Sequence, residues 1–287
     1  MTAAIWSAGS GLPAVRLPEG SVDAHLHIYD ARFPYDAQAT LRPPEATVAH
    51  YRQLQARLGT TRCVLVQPSS YGTDNRCLVD ALGQLGPDAR GIAVIDDRTS
   101  ERELRNMHDA GVRGIRFNLS RPAGAPVELL QALARRVEPL GWHVQVHAAG
   151  DAYPSLVPLL QALPTPIVID HLGRIPPGDD PRKHPAWDPL RRLVDGGRTW
   201  VKVSGAYHDT RVGEPGYEDT GEICRAWLAQ APDRTVWGTD WPHVSALAGE
   251  KPLPDDALLL DLAVKWMPAT MDLRTLFVDN PARLYGF

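Results

Sequence analysis

Eight short apolar, β-rich runs, each followed by an amphipathic stretch and starting about every 30 residues, restrict this chain to very few architectures. The runs are 22–27, 63–67, 91–95, 112–117, 143–147, 167–171, 200–204 and 235–240. Between them, 46–58, 101–110, 127–140 and 220–231 repeat apolar residues at helical spacing, and Gly59, Gly111 and Gly141 stand where three of these helices should stop. Alternating strands and helices of this length predict a parallel sheet, and eight units predict that it closes: an α/β fold, the (β/α)8 TIM barrel, as a single domain. The competing open, doubly wound sheet should carry a Gly-x-Gly-x-x-Gly turn after its first strand, and none is present. Residues 1–20 precede the first strand and read as an arm laid over a barrel formed by 21–287.

Composition excludes several function classes. The formal net charge is -4, with no basic cluster for nucleic acid and no lysine-rich amphipathic segment for a membrane surface. No apolar run reaches membrane-spanning length, and the first 20 residues lack the basic start and apolar stretch of a signal peptide. Cys63, Cys77 and Cys224 follow neither a disulfide nor a zinc-ribbon spacing. A cytoplasmic protein acting on a small molecule is the expectation, with oligomeric state left open.

In a barrel of this kind the active site forms at the carboxyl ends of the strands. That rule selects His25 and His27 on the first run, Arg116 on the fourth, His147 on the fifth, His171 on the sixth and Asp240 on the eighth. Strand alternation turns His25 and His27 to one face, with Asp23 one step behind them, and turns Asp170 away from His171 towards a neighbouring helix. Neutral imidazoles with a carboxylate suit one zinc or other divalent ion with an open position, held by His25, His27, His147, His171 and Asp240. The same groups suit metal-free chemistry, in which imidazoles polarise a carbonyl and Asp240 takes a proton from water. Arg116, Arg121, Arg174 and Arg211 are candidates for gripping an anionic substrate, because guanidinium groups bind carboxylates bidentately. Ser69 and Tyr71, just beyond the second run, are candidate substrate contacts.

Several motifs together resemble a family. Asp23-Ala24-His25-Leu26-His27, Gln67-Pro68-Ser69, Asp170-His171-Leu172-Gly173-Arg174, Val201-Lys202-Val203-Ser204-Gly205 and Trp237-Gly238-Thr239-Asp240-Trp241-Pro242-His243 are similar to the amidohydrolase superfamily, in its amidohydrolase 2 branch. That branch includes hydrolases of 2-pyrone-4,6-dicarboxylate, of sulfomuconolactones and of sugar-acid lactones. The resemblance implies a (β/α)8 barrel in which His25, His27, His171 and Asp240 are catalytic. It further implies that Arg116 and Arg121 bind a substrate carboxylate, with Arg174 and Ser69 as helpers. The pyrone hydrolase works without metal and carries tyrosine at the place of His147, whereas histidine there matches the metal-binding pattern of the wider superfamily. Arg116 stands where two-metal members carry lysine, which argues against a second metal. The expected reaction is hydrolysis of a carboxylated or sulfonated lactone, in aromatic or sugar-acid catabolism. A metal-dependent decarboxylase of an aromatic or enoic acid is the alternative on the same scaffold.

Overall fold

The computed structural model describes residues 4–120 and 125–287. Its eight strands are β1 (Val22–Leu26), β2 (Arg62–Val66), β3 (Ala89–Ala93), β4 (Val112–Asn118), β5 (His143–His147), β6 (Ile167–Ile169), β7 (Thr199–Val203) and β8 (Thr235–Trp237). They pair in sequence order in one sheet, and every neighbouring pair from β1 to β8 is parallel. Just past β8 the circle closes onto β1, where Asp240 N donates to His25 O at 2.8 Å and His27 N donates to Trp241 O at 2.8 Å. Helices on the outside link the strands, so the fold is the expected (β/α)8 barrel. Among the described residues no helix is long and apolar enough to cross a membrane.

Helix ends follow the local chemistry. Thr47 and Ser100 each accept a hydrogen bond from the third helical N–H of Val48–Leu58 and Glu101–Asp109, closing capping boxes with His50 and Glu103. Gly59 ends the first of these in the left-handed conformation. β6 and β8 are shorter than the sequence runs suggest, and the last residues of those runs, His171 (φ 48°) and Asp240 (φ 66°), have left-handed backbones that no strand adopts.

The barrel interior changes character along its axis. Its amino-terminal half is filled by Val22, Ala24, Val64, Val66, Ile92, Val168 and Val236, with Tyr285 from the last helix plugging the base. Above them lie buried polar side chains: Gln145, Asp170, Lys202 and Arg116. A sheet that is apolar below and polar above can place charge in the core only where the charges meet one another.

Two expectations about side-chain direction are corrected here. Val168 points into the barrel, so alternation aims Asp170 inward as well; its carboxylate accepts from Arg116 Nε at 3.1 Å and from Gln145 Nε2 at 3.1 Å. His171 is the residue that departs from alternation, through its left-handed backbone. Asp23 faces outward between the inward-pointing Val22 and Ala24, and the β1–β2 register shift between Asp23 and Leu26 inserts an extra residue that puts His25 on the other face from Asp23. There it accepts from Tyr51 OH and Thr239 Oγ1 at 3.2 and 2.7 Å and braces the closure from behind.

The first described residues run along the barrel's outer surface. Ala14 N and Val15 N donate to the Asp261 carboxylate at 2.9 and 3.0 Å, and Trp241 Nε1 donates to Ile5 O at 2.8 Å. The three cysteines are free and buried.

Candidate active site

At the carboxyl end of the barrel, three imidazoles from two elements surround one carboxylate oxygen. The Nε2 atoms of His25, His27 and His171 each lie 3.6 Å from Asp240 Oδ1. The other oxygen, Oδ2, is anchored, accepting from Tyr207 OH at 2.6 Å and bonded to His208 Nε2 at 2.9 Å. Asp240 is therefore oriented by one oxygen and presents the other. Burial works against its charged form, but His171, His208 and His27 outweigh it, and the carboxyl stays ionised well below the usual range.

The tautomers follow from the partners. His27 Nδ1 lies 2.7 Å from Val66 O, and a carbonyl only accepts, so Nδ1 carries a proton, and in the neutral ring Nε2 presents a lone pair. That lone pair faces the Asp240 carboxylate, which also only accepts. Two acceptors 3.6 Å apart in a buried place need a cation or a hydrogen-bond donor between them. His25 Nε2 is likewise buried without a partner, and burial, helped by Lys202, pushes its pKa down to about 3. His171 is held neutral by burial too, and its Nδ1 meets Ser204 Oγ at 2.9 Å, a hydroxyl able to donate or accept. These donors fit a single divalent ion: His25, His27 and Asp240 offer ligand atoms within 4.8 Å of one another, as do His171, His208 and Asp240.

Beneath this group a buried ammonium completes the charge balance. Lys202 Nζ donates to Ala24 O at 2.8 Å and stands 3.3 Å from His25 Nδ1 and 3.9 Å from Asp170 Oδ1. Burial lowers its pKa to about 7. Asp170 stays charged despite burial, because His25, Arg116 and Lys202 surround it.

His147 stands apart from the Asp240 convergence. Its Nδ1 meets Arg116 Nη2 at 3.1 Å and its Nε2 meets Arg174 Nη1 at 3.1 Å. A neutral imidazole has one acceptor nitrogen, so its single N–H points at a guanidinium that can only donate. Burial first, then Arg116, keeps the ring neutral. The cluster is thus short of acceptors, which makes it a place for an anion and leaves His147 outside the candidate metal groups.

A cavity of about 310 Å³ opens above, lined among others by Tyr29, Ser69, Asn118, Arg116, Arg174 and Asp240. Asn118 Nδ2 donates to Ser69 Oγ at 2.9 Å, so Ser69 lies at the cleft as expected. Tyr71 does not: it is buried beside the cleft, its hydroxyl accepting from Asp30 N at 2.9 Å and donating to Asp30 O at 3.2 Å. The tyrosine that lines the cavity is Tyr29. Arg211 is exposed on the loop beyond β7, where its N–H donates to Asp219, and its side chain is not among the lining groups. Arg121 lies outside the described residues. His243 is fully buried against Asp256 at 3.1 Å.

Sequence reasoning missed Tyr207, His208 and Lys202 as site residues. The strand-end rule points to the segment after β7, but His208 lies beyond a turn rather than on the strand. Gly205 makes that turn, at φ 66°; a Cβ there would come within 2.5 Å of His208 Cδ2 and 2.9 Å of His171 Nδ1. Gly238 permits the closure in the same way, since a Cβ would sit 2.6 Å from His25 N.

The family model described as Amidohydrolase matches residues 22–287, which is every element of this barrel. The chain belongs to the amidohydrolase family. This amidohydrolase is 36% identical over 293 residues to the 2-pyrone-4,6-dicarboxylate hydrolase of Comamonas testosteroni, covering 98% of this chain and 94% of the relative. It is 36% identical to the 4-sulfomuconolactone hydrolase of Rhizobium radiobacter, covering 94% and 91%. A protein of Agrobacterium tumefaciens solved in its apo form superposes with a TM-score of 0.87 at 30% identity, covering 96% of this chain and 98% of that one.

Proposed function

We propose that this amidohydrolase opens a carboxylated or sulfonated lactone by attack of water, with Asp240 as the general base. The observation that carries this reading is the convergence of three Nε2 atoms on Asp240 Oδ1 at 3.6 Å while Oδ2 is tied to Tyr207 and His208. A water molecule bridging His27 Nε2 and Asp240 Oδ1 would satisfy both acceptors and stand oriented for attack. The similarity to hydrolases named for a pyrone dicarboxylate and a sulfomuconolactone supports an anionic ring ester as substrate.

In the reaction, the water oxygen bonds to the lactone carbonyl carbon as Asp240 Oδ1 takes its proton. His171 and His25, neutral at physiological pH, stand beside the carbonyl oxygen where negative charge develops. Collapse breaks the carbon–oxygen bond of the ring, and the proton on Asp240 passes to the departing ring oxygen. The product is an open-chain acid bearing a new hydroxyl, and its ionisation releases one proton. Arg116 and Arg174 hold the substrate's acidic group beside His147, whose surplus donors such a group satisfies. A zinc ion held by His25, His27, His171 and Asp240 would polarise the carbonyl and lower the pKa of a bound water towards ~7.

The test is proton release from a panel of carboxylated lactones, with product mass measured on chelator-treated and zinc-supplemented protein. Uptake of one water supports the reading, and dependence on zinc decides how the carbonyl is polarised. Loss of carbon dioxide from an aromatic or enoic acid, with every lactone left intact, would replace hydrolysis by decarboxylation.

A further inference from the structure

The described cations lining the cleft are Arg116, Arg174 and Lys251, and they are not equivalent. Arg116 is ion-paired with Asp170 at 3.1 Å, and Arg174 with Asp209, whose two oxygens accept from its Nε and Nη2 at 2.6 and 2.7 Å. Each arginine has a protein carboxylate of its own, so its charge is already balanced before any ligand arrives. Lys251 lines the same cavity, is half-buried, and has no ion pair with any described residue. An ammonium on the cleft wall with no counter-ion among the described residues is a second group there able to gain from an incoming anion.

The backbone is tethered on either side of Lys251. It lies between the helices Val244–Leu247 and Asp256–Lys265, on the connection that follows β8, the strand that delivers Asp240. On one side Glu250 N donates to Ser245 O at 2.9 Å. On the other, Pro254 O accepts from Ala8 N at 2.9 Å, and Asp255 is paired with buried Arg57 at 2.6 Å. A tethered connection limits the loop entropy lost when a ligand binds there.

We propose that Lys251 is a specificity-determining residue that binds a second acidic group of the substrate, in addition to the one received at His147, Arg116 and Arg174. This deepens the lactonase reading, on which the identity of the substrate ring rests: it selects lactones with two acidic groups over those with one. A neutral substituent at that position would leave Lys251 half-buried and unpaired.

The experiment is calorimetric titration with isophthalate, a non-hydrolysable ring bearing two carboxylates, and with neutral isophthalamide as its control. It uses the wild-type protein, Lys251→Met and Lys251→Arg. Lys251→Met should weaken isophthalate about tenfold, leave isophthalamide unchanged, and make the salt dependence of binding shallower; Lys251→Arg should restore it. Equal affinity in wild type and Lys251→Met, or no binding by either, overturns the proposal. Turnover is read separately on the wild-type protein. A protein that binds isophthalate through Lys251 and opens no lactone refutes the reaction while leaving the anion site standing.

Discussion

Replacing Asp240 by asparagine separates the chemistry of this site from its architecture. The side chain keeps its shape, and its amide oxygen can still accept from Tyr207 OH and His208, which now hold Oδ2 at 2.6 and 2.9 Å. The amide NH2 then points at the three Nε2 atoms, and the fixed lone pair of His27 accepts from it. No buried group is orphaned, so Asp240→Asn should melt within a few degrees of wild type. What disappears is the oxygen that takes the proton. General-base catalysis is worth ~10²–10⁴-fold, which at 1.36 kcal/mol per tenfold corresponds to about 3–5 kcal/mol of barrier. The upper end is expected, because neutral His25 and buried His171 hold lower pKa values than an ordinary imidazole and make poor substitute bases. Initial rates of lactone opening, with a melting curve on the same preparation, measure both quantities. In the variant the residual rate should climb with pH as hydroxide replaces the missing base. A natively folded Asp240→Asn protein with kcat within tenfold of wild type would refute the assignment.

Other perturbations test the remaining parts of the site. Tyr71→Phe should cost about 1 kcal/mol of stability by removing the hydroxyl bound to Asp30, and leave KM for a carboxylated lactone unchanged; a raised KM would return Tyr71 to the cleft. Zinc at about 100 times its Kd should stabilise the folded protein by about 2.7 kcal/mol, and His27→Ala should abolish that shift in thermal unfolding; an unshifted wild type argues against a metal site. His243 gives a pH signature: burial alone would lower its pKa, but Asp256 raises it above 6.5. The folded state therefore holds this proton more tightly than the unfolded state. Its contribution is complete below pH 6.5 and fades as pH rises through the raised value. The melting-temperature gap between wild type and His243→Gln should shrink with rising pH, and a widening gap would contradict the pairing.

Much of this protein is determined by its sequence alone. The βα spacing predicts the barrel, because an amphipathic helix of that length after each strand can only return the chain parallel to its start. The strand-end rule then finds His25, His27, His171 and Asp240, since closure brings all carboxyl ends to one mouth. Tertiary structure decided the rest, wherever local periodicity breaks. A one-residue shift in β1 puts Asp23 and His25 on opposite faces, and left-handed backbones lift His171 and Asp240 over the mouth while Asp170 stays in the barrel. His208 and Tyr207 join the site through a turn that alternation cannot anticipate. His147 shows the limit most plainly: its place on β5 is legible, but its chemistry depends on Arg116 and Arg174, which approach its two nitrogens from other elements. A sequence carries residue type and the period of a single element. Which donor meets which acceptor depends on where several elements end in space, and only packing decides that.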